Sequence, residues 1–220
     1  MAVYDLEEQE QLDELKTWWK QYGNLVTGIV VAAALAMVAW QGWTWWQRNQ
    51  AAQAGAAYAQ LEQAVAAHDP QRTNEAAGEL IDKFSGTAYA GLAALLSAKV
   101  QADAGDLKTA KLQLTWAAEH AKGQELRDLA RLRLGAVLLD EKAYGDALQQ
   151  LTAEPAAPFA PRYAEERGDI LAAQGKTADA QAAYAAALAK LDAEKGGADQ
   201  SLQQYRQVLQ IKLDALGGKS

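Results

Sequence analysis

Between Gln21 and Gln47 the chain carries no charged side chain, and from Leu25 to Trp40 its apolar run is broken only by Thr27 and Gly28. A stretch of that length and composition is the pattern of a helix that crosses a lipid bilayer. Residues 24 to 46, at about 1.5 Å per residue, reach roughly 34 Å, enough for a hydrocarbon layer of about 30 Å with some tilt. The aromatic residues strengthen this reading. Trp18, Trp19 and Tyr22 stand at one end and Trp40, Trp43, Trp45 and Trp46 at the other, where amphipathic rings favour the headgroup layer. The competing reading of a buried helix in a soluble bundle does not account for two Trp clusters flanking an uncharged run. A cleaved signal peptide is the second competitor, with Ala52-Gln53-Ala54 imitating a cleavage site. Its leading segment would then be acidic and more than 20 residues long, and its apolar core longer than a signal usually carries.

Lys16 and Lys20 precede the run and only Arg48 follows it closely. The positive-inside rule therefore puts the N-terminus in the cytoplasm and the remainder across the membrane. The expected organisation is a short acidic arm over 1–23, a transmembrane helix over 24–46 and a helical domain over 47–220. Asp5, Glu7, Glu8, Glu10, Asp13 and Glu14 against the two lysines leave the first 24 residues at -4, and the whole chain is at -7. Such a balance argues against nucleic acid as a partner. With no cysteine there is no disulfide framework, thiolate metal site or thiol nucleophile. Within the span, Gly28, Ala32 and Ala36 recur every four residues on one face, the small-residue pattern that lets two membrane helices approach. They form the candidate face for a membrane partner, although Ala is common enough here for the stripe to arise by chance.

Past Ala51, Ala dominates while Val, Ile and aromatics are scarce, which predicts helix rather than sheet. An internal period follows. The segment from Gly105 through Ala110 to Ala117 lies over that from Lys142 through Ala147, and over that from Gly175 through Ala180 to Ala187. In each copy a small residue precedes the key alanine by 12 positions: Ala98, Gly135 and Gly168. The spacings of 37 and 33 residues bracket the 34 of a helix-turn-helix repeat. This resembles the tetratricopeptide family, in which small residues allow paired helices to approach and each pair buries its open face on the next. The middle copy departs from the pattern with Lys142 in place of Gly and Glu154 in place of Ala. Ala51–Ala67 and Pro70–Phe84 read as a further helical pair, with Asp69 as N-cap and Pro70 at the first helical position. Glu154 to Pro161 is a proline-stiffened break. Asp199–Leu216 is a closing helix over the open end. The expected fold class is all-α: one N-terminal transmembrane helix, then a tetratricopeptide-like solenoid.

Catalytic and metal constellations are not found. His68 and His120 have no carboxylate or second His at ligand spacing and read as surface helix residues. There is no phosphate-binding glycine loop or nucleophile elbow, and the pair Glu165-Glu166 reads as a solvated helix face. No cofactor and no enzyme activity are expected. Trp116 reads as interhelical packing in preference to an exposed anchor for a partner. The candidate partner-binding face is the side formed by first helices around Ala98, Gln101, Arg131, Gly168 and Leu171.

The start Val3-Tyr4-Asp5-Leu6-Glu7-Glu8-Gln9-Glu10, the segment Leu15-Lys16-Thr17-Trp18-Trp19-Lys20-Gln21-Tyr22-Gly23-Asn24 and the segment Thr87-Ala88-Tyr89-Ala90-Gly91-Leu92-Ala93 resemble the YfgM-type ancillary subunits of the bacterial Sec translocon. The resemblance covers essentially the whole chain. It implies a bacterial inner-membrane protein with a cytoplasmic arm and a periplasmic repeat domain. It further implies association with SecYEG channel subunits and with a membrane-anchored periplasmic chaperone of the prolyl-isomerase class. Such proteins are expected to help hand emerging unfolded proteins to chaperones, with no catalytic residues to assign. The alternatives are a general envelope scaffold for an unrelated complex, and a soluble periplasmic binding protein released near Ala54; fold alone does not separate them.

Overall fold

The computed structural model describes residues 4–193 and 200–217, with side chains from Leu12 onward. Val3 and Asp199, cited above, lie outside the described residues. Among the described residues nine α-helices follow in order: α1 (Tyr4–Ala66), α2 (Pro70–Phe84), α3 (Ala88–Asp103), α4 (Leu107–His120), α5 (Gln124–Asp140), α6 (Tyr144–Gln150), α7 (Ala160–Ala173), α8 (Thr177–Ala193) and α9 (Gln200–Ala215). A 3-10 turn at Ala157–Phe159 precedes α7. The described residues contain no strand, and the chain is all-α as expected. It divides into two compact units, Met1–Gln50 and Ala51–Ser220.

In the first unit the apolar side chains of α1 are exposed to their surroundings. Leu35 is 66% exposed, Val38 70% and Trp40 71%, values that only a lipid environment makes favourable for so many neighbours. The helix has no backbone break at 24 or 46, and Ala51–Ala66 is the tail of α1 rather than a separate helix. Ala-rich sequence without proline gives the helix no reason to stop before the turn at Ala67–Asp69.

In the second unit the helices pair: the tail of α1 with α2, α3 with α4, α5 with α6, α7 with α8. Four apolar clusters hold it together, and each draws on a pair and on the first helix of the next. Ala54 and Leu61 of α1, Ala77 and Leu80 of α2 and Ala93 of α3 form the first. Leu95, Ala110, Leu114 and Leu134 belong to a second cluster that joins α3 and α4 to α5. Leu132, Ala147, Leu151, Tyr163 and Ile170 join α5, α6 and α7. Ala164, Ala187, Leu191 and Leu209 join α7, α8 and α9. Truncating any of the fully buried leucines to Ala is expected to cost about 2–5 kcal/mol.

Each pair closes through one turn geometry. In these turns the residues with positive φ are, in chain order, His68 (53°), Gly105 (85°), Lys142 (61°) and Gly175 (74°). In each turn the following amide reaches back five residues: Asp69 N–H to Ala64 O at 3.1 Å, Asp106 to Gln101 at 2.8 Å, Ala143 to Leu138 at 2.8 Å and Lys176 to Leu171 at 2.9 Å. These are the paired hydrogen bonds of a glycine-type helix C-cap. Asp69 and Asp106 then cap the next helix, their Oδ1 atoms accepting from the Arg72 and Thr109 amides at 3.0 Å. His68 therefore sits in a turn, not on a helix as its sequence suggested.

The middle repeat is shorter than the periodicity implied. α6 ends at Gln150, so Glu154 lies beyond the helix rather than at the position of Ala117 and Ala187. The break also ends earlier than its prolines suggested. Pro161 sits in the first turn of α7, where its missing N–H has no helical partner to lose.

Candidate partner-binding groove

On the side formed by first helices, α5 and α7 leave a groove of about 610 Å³ between them. Its apolar lining comes from Leu129, Leu132, Ala136 and Leu139 of α5 and from Phe159, which precedes α7. Their spacing of three and four residues on α5 places them along one stripe. Charged groups complete the wall: Arg133 on α5, and Arg162, Glu165, Glu166 and Asp169 on α7. The combination of an apolar floor with a few placed polar groups is the usual composition of a binding cleft.

The acidic groups are not a solvated face. Lys212 of α9 places its Nζ 2.7 Å from Glu165 Oε1 and 2.8 Å from Asp169 Oδ2, and the side chains of these two carboxylates are only 16% and 30% exposed. The hydroxyls of Tyr205 and Tyr184 donate to Glu165 Oε2 at 2.8 Å and to Asp169 Oδ1 at 2.7 Å. Burial lowers the Lys212 pKa, but hydrogen bonds to Asp169 and Glu165 outweigh it and hold the ammonium above its ordinary value. Glu166 stands apart. Its Oε1 is buried with no hydrogen-bond partner, beside the backbone of Gly135. Burial first, then the charges of Asp169 and Glu165, push its pKa up to about 8 against the opposing pull of Lys212.

Glycine makes that insertion possible. A Cβ at Gly135 would collide with Glu166 Oε1, and one at Gly168 would lie 2.5 Å from the Tyr184 ring. Both are positions that the repeat register marks as small.

The sequence-derived binding residues fall elsewhere. Ala98 is 2% exposed inside the α3–α4–α5 cluster, and Gly168 is buried against Tyr184. Gln101 is 5% exposed and donates to the Pro70 carbonyl at 2.7 Å, tying α3 to the start of α2. These three fill helix crossings and have no side chain to offer a partner, because the small or satisfied residue at a crossing is enclosed by the neighbouring helix. Arg131 is also engaged, its guanidinium 3.1 Å from the fully buried Asp128 carboxylate. Leu171 is half-buried, and its carbonyl closes the turn after α7. The groove between α5 and α7 is lined by other residues of these first helices. Gly28, Ala32 and Ala36 lie exposed on α1, with open space where a Cβ at Gly28 would project. Trp116 is partly buried against the α3–α5 core and stacks on His120 with ring centres 5.6 Å apart. Among the described residues no three His, Asp or Glu side chains are placed to hold a metal ion.

Helix pairs stacked in register, each completed by the first helix of the next, define a tetratricopeptide-type repeat domain, carried here behind an apolar helix that fits a membrane-anchored protein. Residues 16–218 match the family described as tetratricopeptide repeat-like domain. The chain is 34% identical over 220 residues to the ancillary SecYEG translocon subunit of Neisseria gonorrhoeae, covering 98% of this chain and 100% of that protein. It is 31% identical over 173 residues to the protein of that name from Haemophilus influenzae, covering 79% and 84% of the two chains. With that from Escherichia coli it shares 26% over 189 residues, 84% and 89% of the two chains. The chain belongs to the tetratricopeptide repeat-like family of ancillary SecYEG translocon subunits.

Proposed function

We propose that this chain is a non-enzymatic adaptor at the Sec translocon, linking the channel to periplasmic chaperones and to emerging unfolded proteins. The near full-length likeness to the Neisseria gonorrhoeae ancillary SecYEG translocon subunit carries the reading. In it residues 1–23 are cytoplasmic, 24–46 cross the inner membrane and 47–220 are periplasmic, the orientation that Lys16 and Lys20 against Arg48 favour. The span docks on the channel through Gly28, Ala32 and Ala36, whose small side chains allow close helix approach. The repeats hold a chaperone or client on the first-helix side. A groove with an apolar floor suits the transient capture of extended or helical segments.

Photo-cross-linking from Ala32 in native membranes, with captured species identified by mass spectrometry, tests the reading. Recovery of Sec channel subunits is the expected outcome. Efficient labelling that recovers only lipid or an unrelated complex would replace the translocon adaptor with a general envelope scaffold.

A further inference from the structure

The groove between α5 and α7 contains one carboxylate whose needs the protein does not meet. Of the groups facing it, Glu165 and Asp169 of α7 share Lys212 of α9 and receive the hydroxyls of Tyr205 and Tyr184. Arg133 of α5 donates to the Leu95 carbonyl at 3.2 Å. Arg162 of α7 lies 5.2 Å from the centre of the Tyr205 ring. Glu166 is left with a buried oxygen and no donor. An unsatisfied buried acceptor is costly, and a donor arriving with a ligand would remove that cost. Beside it lie the apolar side chains of Leu129, Leu132, Leu139 and Phe159 in the same groove.

We propose that this groove docks a protein segment that presents one lysine or arginine between apolar side chains, with Glu166 as the polar anchor for the cation. The apolar neighbours fill the α5 stripe while the cation supplies the missing donor. The partner is basic at this point because the one uncompensated group is acidic and the arginines of the groove are already engaged. An acidic side chain placed at Glu166 would meet the charges of Glu165 and Asp169 that already act there and be disfavoured relative to a cation. The proposal depends on the adaptor reading only in taking the first-helix side as the one that holds protein segments.

A bound cation lowers the Glu166 pKa from its free value of about 8. Between the lowered value and about 8, binding releases a proton, so the preference for a cationic segment strengthens as pH rises and levels off above it. The lysine of the ligand stays charged throughout this range.

The full chain in phosphatidylcholine nanodiscs, with empty nanodiscs subtracted, is titrated into a fluorescein-labelled 12-residue peptide of Leu and Ala with one central Lys. Companion peptides carry norleucine or Glu at that position, and binding is read by anisotropy at pH 6.5 and 8.5. The Lys peptide is expected to bind about tenfold more tightly than the norleucine peptide at pH 8.5, with a smaller ratio at pH 6.5 and the Glu peptide weakest. Glu166→Gln should erase the Lys preference while leaving norleucine binding, and Ala136→Arg should block all three. Circular dichroism establishes that both variants keep the fold. Equal binding of the Lys and norleucine peptides, or a Lys preference that survives Glu166→Gln, would overturn the proposal. Binding untouched by Ala136→Arg would do the same by placing the peptide elsewhere. The Ala32 cross-link reads the channel contact independently, so either proposal can fail without the other.

Discussion

Asp128 carries more of the repeat stack than any sequence pattern announced. Its carboxylate is wholly buried and accepts from Arg131 at 3.1 Å, from the Tyr163 hydroxyl at 3.2 Å and from the Ala156 amide at 2.8 Å. One side chain thereby fixes the proline-containing break onto α5 and α7. Burial first, then the nearby Asp128 charge, raises the Tyr163 pKa and keeps its hydroxyl a donor. Asp128→Ala leaves three donors without this acceptor and should lower stability by about 3 kcal/mol. Urea denaturation of the repeat domain measures this, and a loss below about 1 kcal/mol would show that water or another acceptor takes over. Asp128 was illegible beforehand because its partners Ala156 and Tyr163 lie 28 and 35 residues away. Glu166 was misread for the same reason: exposed and inserted carboxylates look alike until the neighbouring helix is placed.

At the scale of the element, the turn after α5 repeats the backbone of its neighbours with the wrong residue. Lys142 adopts φ 61° where Gly105 and Gly175 adopt 85° and 74°, and the flanking hydrogen bonds are retained. A Cβ in the left-handed region costs about 1 kcal/mol, so Lys142→Gly should raise stability by that order, offset in part by greater freedom of the unfolded chain. Gly105→Ala should lower it by a similar amount. Paired thermal melts test both directions, and an unchanged midpoint for Lys142→Gly would mean that the turn bears no strain. The helices themselves were readable: Asp69 and Pro70 start α2 as their types predict, and the turns at 105 and 175 fall on glycine. The length of α6 was not, because its end is set by where Leu151 and the following segment pack against α5 and α7 rather than by any stop signal in Leu148-Gln149-Gln150.

At the scale of the whole molecule, the two units have opposite solvent requirements. The first exposes Leu25, Ile29, Leu35 and Val38, while the second gathers most of its large apolar side chains into internal clusters and leaves a few, such as Leu112 and Ile211, exposed. A fragment of residues 51–220 should therefore stay soluble without detergent and keep its helical circular dichroism, whereas the full chain needs detergent or lipid. Aggregation of the fragment, or loss of its helicity, would show that the second unit depends on the first. The sequence alone determined the apolar helix, the all-α class and the register of the repeats, because each follows from local chemistry: absence of charge, helix propensity and a recurring small residue. Tertiary structure decided which residues are enclosed and which line a groove. Ala98, Gln101 and Gly168 vanish into helix crossings, while Leu129, Phe159 and Glu166 line the groove. The physical reason is that a repeat period fixes positions along the chain, whereas burial and an unmet hydrogen bond arise only when α5, α7 and α9 approach one another.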